Sequence, residues 1–249
     1  MRAAPATVAV VLRSVPYGEA DRVVTLLTEA HGKVSVLAPS ARKSRRRMPP
    51  GALEPFGICE AEIALGSGEL GRLAGARLVR GFPRLLGLLE RMEIAGAALE
   101  RVREIVPARE PEPRLVRAVE ELFERLDGER AGSELGVAFE LRLLALCGLT
   151  PRLGTCGACG KAAGDRAALF EPGRGSIVCR ACGGGPFVLS APARLSMLAC
   201  LGERWASAAE GWSAAQLEEV RAAVEAFRAR HVGLRREPGG AKALGARWR

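Results

Sequence analysis

Two Cys-x-x-Cys pairs are the residues of this 249-residue chain best suited to chemistry. Cys156-Gly-Ala-Cys159 and Cys179-Arg-Ala-Cys182 are separated by 19 residues, a spacing that builds four-cysteine zinc sites. Two intervening residues let both thiolates of a pair reach one ion at ~2.3 Å, and glycines such as Gly157 and Gly160 permit the tight turn. Four thiolates close the tetrahedron and leave no position for water, so the expected Zn²⁺ is single and structural. The closed site is negatively charged, and Arg152, Lys161, Arg166, Arg174 and Arg180 offset it. Two disulfides or a redox pair would use the same residues, but the spacing and the odd total of seven cysteines favour metal. Cys59, Cys147 and Cys200 fall on apolar periodic positions and read as buried thiols.

The second constellation is basic. Arg42, Lys43, Arg45, Arg46 and Arg47 place five cations in six positions. Each phosphate a cation neutralises releases counterions, so the run reads as a phosphate clamp. A solvated loop or a nuclear-localisation signal has the same composition. Net charge is +9 and the pI about 9.8, which favours nucleic acid as partner, with a membrane surface as rival. Arginine outnumbers lysine 33 to 4 beside abundant Ala and Gly; this matches a GC-rich genome and supports no inference alone. Residues 1–80 carry 12 basic and 7 acidic groups, residues 81–150 carry 10 and 13, and residues 151–249 carry 15 and 8. The middle segment is the least suited to a polyanion.

The elements that must position these groups change type along the chain. VAVVLR (8–13), DRVVTLLT (21–28), KVSVLA (33–38) and ICEAEIAL (58–65) read as strands, with His31-Gly32 as a tight turn. Four or five strands in about 80 residues predict a small OB-type or SH3-like barrel. The basic run sits in its longest connection, Pro39 to Pro55, and long loops on rigid scaffolds carry binding residues. Helical spacing then runs from Leu85 to Val106, from Leu115 to Leu126, and from a Ser133 cap to Leu146. Two further helices are expected around Leu195–Trp205 and Leu217–Phe227, and the basic segment 233–249 shows no periodicity. The N-terminus reads as mature structure because Arg13, Glu19 and Asp21 follow its short apolar stretch. No apolar run approaches the ~18–20 residues that span a bilayer, so no membrane partner is expected.

Taken together the chain resembles the bacterial RecO recombination-repair mediators. The resemblance runs to about residue 230. It rests on Tyr17-Gly-Glu19-Ala-Asp21-Arg22-Val-Val-Thr-Leu, His31-Gly32-Lys33-Val-Ser-Val, the basic loop, and Gly51-Ala-Leu53-Glu-Pro55-Phe56. Phe139-Glu140-Leu-Arg142-Leu-Leu, Leu149-Thr-Pro151, Phe170-Glu-Pro172 and the two cysteine pairs continue it. It implies an α+β multidomain architecture: an N-terminal OB-fold β-barrel followed by an α-helical domain with an inserted four-cysteine zinc module. The corresponding segments are 1–80 for the barrel, 81–151 with 191–232 for the helical domain, 152–190 for the zinc module, and 233–249 for a basic tail expected to be disordered. It further implies binding of single- and double-stranded DNA, strand annealing, and work with RecR and the single-strand-binding protein to load RecA, in the cytoplasm at the nucleoid. Candidate DNA contacts are Arg22, Lys33, Arg42, Lys43, Arg45, Arg46 and Arg47. OB-folds stack bases on aromatic rings, and residues 1–80 offer only Tyr17 and Phe56. With Phe56 in the core, Tyr17 is the one platform, and binding is expected to be electrostatic and sequence-blind. An acidic, apolar-ended tail of the single-strand-binding protein is expected between the last two helices, at Arg221, Arg228 and Phe227.

Gly66-Ser-Gly68-Glu-Leu-Gly71 matches a dinucleotide fingerprint, but no helix opens after it, so it reads as a hairpin connection. The two histidines, His31 and His231, form no set with a nucleophile, and no paired acid and base stands out. The expectation is a protein without catalysis. A zinc-ribbon transcription or RNA-binding factor is the alternative, and a nucleic-acid-processing enzyme the third.

Overall fold

The computed structural model describes residues 5–44, 46–129 and 131–232. Strands β1 (Ala6–Tyr17), β2 (Asp21–Thr28), β3 (Gly32–Ala38), β4 (Gly57–Ala64) and β5 (Leu70–Gly81) come first. Helices α1 (Pro83–Leu86), α2 (Leu89–Ile105), α3 (Pro113–Asp127) and α4 (Glu134–Leu146) follow. Strands β6 (Ala168–Glu171), β7 (Ser176–Val178) and β8 (Phe187–Leu189) precede helices α5 (Ala191–Cys200), α6 (Trp205–Ala208) and α7 (Ala214–His231). Two compact units result. The first comprises Met1–Gly148 and Ala199–Gly211; the second comprises Leu149–Leu198 and the segment from Trp212.

In the first unit the five strands close a barrel in the order β1-β2-β3-β5-β4. Period-2 alternation dictates it: Gly32, Val34, Val36 and Ala38 of β3 turn inward. Val11, Val24, Leu26, Ile63 and Leu73 fill the same interior. A register shift between Val11 and Arg13 bends β1 enough to pair with both β2 and β4. β5 is the strand that sequence patterning does not specify. Gly71 and Gly75 dilute its signal, yet Gly71, Leu73 and Ala76 take the inward positions. The glycine fingerprint joins β4 to the antiparallel β5 as a hairpin connection.

The helices of this unit share an aromatic interior. Phe82 and Phe123 meet edge-on at 5.5 Å, and Phe139 meets Trp205 at 5.8 Å. Phe56 leans on Phe123 at 6.2 Å, so it belongs to the packing. Arg142 of α4 is buried and donates to Leu201 O at 2.9 Å and to Glu203 at 2.5 Å. That fixes the 199–211 segment against α4. The expected first helix is broken at Gly87-Leu88 into α1 and α2. The expected Ser133 cap is absent: its backbone is already helical and its side chain makes no capping bond. A full capping box occurs instead at Ser213 and Gln216 of α7. Among the described residues no helix is long and apolar enough to cross a membrane.

The second unit is a three-stranded antiparallel sheet, order β7-β6-β8, packed against α7. Phe227 faces Phe170 at 6.3 Å, His231 Nε2 lies 2.8 Å from Pro172 O, and Ser190 N–H donates to Glu219 at 2.7 Å. α7 therefore shares a core with the cysteine-bearing segment, whereas the sequence division places it with residues 81–151. The reason is a shortage of apolar surface: three short strands cannot bury themselves without a helix.

Candidate functional site

The cysteine pairs converge in the second unit. All four sulfur atoms lie within 4.8 Å of one another, and Cys159 Sγ is 3.9 Å from Cys179 Sγ. Metal–sulfur arms of ~2.3 Å give a tetrahedron with edges of about 3.8 Å, so the spacing fits one ion. The first knuckle is closed by Gly160 N–H to Cys156 O at 2.9 Å, with Gly160 at φ +75°. Gly157 is required for a different reason than the turn itself: a Cβ there would lie 2.1 Å from Ser176 Oγ. Its N–H donates to Ile177 O at 2.8 Å, pinning the knuckle to β7. The second knuckle continues β7 directly, as a 3₁₀ turn over Arg180–Cys182.

The electrostatics fit a cation. The N–H of Cys179 donates to Cys156 Sγ at 3.4 Å. The amides of Cys179, Cys159 and Ala158 pull the Cys156 thiol down to about 6. Cys182 is pushed up to about 12 by its hydrogen bonds to the thiols of Cys179 and Cys159 and by burial. Four sulfurs at this spacing compete for negative charge, and a metal ion supplies the positive charge that lets all four ionise.

Arg194 of α5, which stands outside the sequence-based site sets, is the hidden support of this site. It is 1 % exposed. Its guanidinium donates to Leu153 O at 2.8 Å, to Arg166 O at 3.2 Å and to Gly164 O. Those carbonyls flank the first knuckle on both sides. Nothing local in the sequence marks this residue, which lies on an apolar helix beyond the cysteines.

The basic loop is anchored to the barrel of the first unit. Met48, Ala52 and Leu53 are buried in the barrel core. Ser40 N–H donates to Asp21 Oδ1 at 2.7 Å, and turns from Ser40 O to Ser44 N and from Ser44 O to Met48 N shape the loop. Arg42, Lys43, Arg46 and Arg47 are exposed. Arg42 donates to Glu19 O at 3.2 Å and Arg47 Nε to Ser44 Oγ at 3.3 Å. Arg45 and the segment 233–249 lie outside the described residues. Arg77 of β5, absent from the sequence-based set, lines one depression with Arg46 and Arg47. Tyr17 ends β1 and is 51 % exposed.

Two expected contacts are otherwise engaged. Lys33 is half-buried, and its Nζ donates to Arg103 O at 2.5 Å near the C-terminus of α2, a favourable place for a cation. Burial lowers its pKa below the ordinary lysine value. Arg22 donates to Ser14 Oγ at 2.7 Å and pairs with Glu54 at 3.4 Å.

The expected tail site is also rearranged. Arg221 is exposed and Arg228 half-buried, but Phe227 is 4 % exposed, packed on His231 at 4.3 Å and on Phe170. Its ring is committed to the second unit's core, so it offers no surface anchor. In the first unit a cleft of about 380 Å³ is lined by Arg114, Arg117, Ala118, Glu121, Arg142, Glu203 and Trp205. There burial raises the Glu121 carboxyl pKa, against a hydrogen bond from Trp205.

Comparison with known proteins places this architecture. The family description "Recombination protein O N terminal" matches residues 1–82, and "Recombination protein O C terminal" matches residues 88–238. DNA repair protein RecO of Anaeromyxobacter sp. (strain K) is 41 % identical over 233 residues, covering 91 % of each chain. The RecO of Myxococcus xanthus is 44 % identical over 175 residues, 70 % of this chain and 71 % of its own. That of Geobacter sulfurreducens is 38 % identical over 194 residues, 78 % and 79 %. The first match ends as the barrel does and the second takes in helices α2 to α7 and all four cysteines, so the chain belongs to the RecO family of DNA repair proteins.

Proposed function

We propose that this chain is a mediator that binds single- and double-stranded DNA, anneals complementary strands, and with RecR helps load RecA, without covalent chemistry of its own. The observation that carries the reading is the basic loop. Arg42, Lys43, Arg46 and Arg47 are exposed on a connection whose apolar side chains are anchored in the barrel core. Arg45 of the same run is included in the contact. Lys33 is bonded to Arg103 O of α2 and Arg22 to Ser14 and Glu54, so they are secondary members of the set, and Arg77, paired with Glu60, joins it.

Recognition is backbone-based. Phosphate contacts carry no sequence information, and the barrel segment offers Tyr17 as its exposed ring. A protein that pairs any two complementary strands needs that indifference. The four cysteines would hold one Zn²⁺, the ion that four sulfur donors at tetrahedral spacing suit. Its chemistry is structural: it crosslinks the two knuckles and so orders the second unit.

The acidic tail of the single-strand-binding protein is assigned to the cleft of the first unit. Arg114 and Arg117 supply exposed cations at its rim, while Arg142 is held by Leu201 O and Glu203 and the Ala118 and Trp205 side chains lie buried beneath. Exposed cations at the mouth of a cleft attract such a tail.

The deciding experiment is the salt dependence of oligonucleotide binding. Loss of two phosphate contacts in R46A/R47A should lower the log–log slope by about 1.4 on single strands and about 1.8 on duplex, for all sequences alike. An unchanged slope refutes the loop as a contact. A sequence-specific footprint would point instead to a zinc-ribbon transcription factor.

A further inference from the structure

The arginines of the barrel surface share it with carboxylates that the binding reading does not use. On β4, Glu60 and Glu62 flank the inward Ala61. Both line the depression of about 360 Å³ that holds Arg46, Arg47 and Arg77. Glu60 lies across the β4–β5 ladder from Arg77 and accepts from its Nε at 2.6 Å. Opposite Glu62 stands Gly75, so no side chain of β5 separates that carboxylate from the loop. A Cβ on Gly75 would be 3.5 Å from both Glu62 Oε2 and Arg47 O. The Arg77 side chain is 65 % exposed, and exposed ion pairs contribute little to stability, so fold stability alone does not account for the arrangement.

We propose that Glu60 and Glu62 act as a built-in competitor for DNA phosphate. The inference rests on the DNA-binding reading above. A phosphate approaching Arg46 and Arg47 meets two fixed like charges, and it gains Arg77 only by displacing Glu60. Affinity is held below what the cations alone would give, and bound strands leave faster. An annealing protein that must release its product uses such a limit.

The test compares wild type, E60Q/E62Q, E62Q, R46A/R47A and E218Q/E225Q as full chains, by anisotropy of a labelled mixed-sequence oligonucleotide across salt. E60Q/E62Q should bind about three- to tenfold tighter at low salt, because two like charges within a few ångströms are removed in a high-dielectric surface. Its slope should steepen by about 0.7 on single strands as Arg77 becomes available. E62Q, which breaks no ion pair with Arg77, should show part of the gain. E218Q/E225Q makes the same charge change at exposed positions of α7 and should gain little. Equal gains in E60Q/E62Q and E218Q/E225Q, or none in E60Q/E62Q, overturn the competitor. R46A/R47A binding like wild type refutes the loop reading itself. Weakened R46A/R47A beside an unchanged E60Q/E62Q refutes the competitor alone.

Discussion

Replacing Arg194 by Met tests how the second unit is held together. The residue is 1 % exposed, and its three acceptors are the carbonyls of Leu153, Gly164 and Arg166. Methionine fills the volume and donates nothing. Hydrogen bonds from a charged donor are worth about 1.5–3 kcal/mol each. Three would sum to more than the change expected, because the Gly164 and Arg166 carbonyls can turn to water. A loss of about 3–5 kcal/mol is expected. Against a domain stability of about 5–15 kcal/mol, that leaves the first knuckle, Cys156–Cys159, tethered mainly by metal. Lysine should not rescue, since one ammonium cannot span three carbonyls as a planar guanidinium does. The assay is urea unfolding with metal release followed by a chromogenic chelator. R194M should release metal at lower urea than wild type, and R194K should behave like R194M. Release within about 0.5 kcal/mol of wild type would refute the clamp.

Loss of a thiolate should act over the same region: Cys179→Ser should lose the ion, whose apparent affinity in small zinc modules is about 10–16 kcal/mol. Amide-exchange protection should then drop in residues 149–198 and 212–232, with the barrel intact; a bound-metal content equal to wild type would contradict it. Glu121 titrates above its ordinary 4.5 through burial, so the folded state binds more protons than the unfolded and stability falls as pH rises through that interval. Urea midpoints for E121Q against wild type between about pH 4 and pH 7 should diverge as pH rises; a constant difference counts against it. A labelled acidic tail peptide should bind R117E about tenfold more weakly and R221E/R228E like wild type, and the reverse pattern would return the tail to α7.

How much of this was legible in the sequence depends on how far each signal reaches. Cysteine spacing is local, and the four sulfurs converge as two knuckles would. Period-2 alternation is local too, and it identifies four strands. It also misleads at Lys33. The inward positions of β3 are Gly32, Val34, Val36 and Ala38, so Lys33 points out of the barrel, where alternation alone suggests solvent. The end of α2 covers that face, and Arg103 O takes the ammonium. Phe227 fails for the same reason: an amphipathic stripe shows that a face is buried, not against what. The cleft of Arg114, Arg142 and Trp205 joins residues from three separate segments, and no periodicity connects them.

The anchoring of the loop explains how few aromatic rings can suffice. Five cations on an untethered segment would each lose side-chain freedom on meeting a phosphate, and the backbone would lose about 1–2 kcal/mol per residue ordered. Met48, Ala52 and Leu53 remove much of the backbone part of that cost before binding, because they already belong to the barrel core. Asp21 holds the loop's first turn through Ser40 N–H. Arg42, Lys43, Arg46 and Arg47 are exposed, so in the proposed reading contacts to phosphate would form and break singly. Stacking platforms would add affinity per base and slow release. In the proposed reading, a preformed loop with exposed cations, opposed by Glu60 and Glu62, would hold a strand through charge alone and leave its bases free to pair.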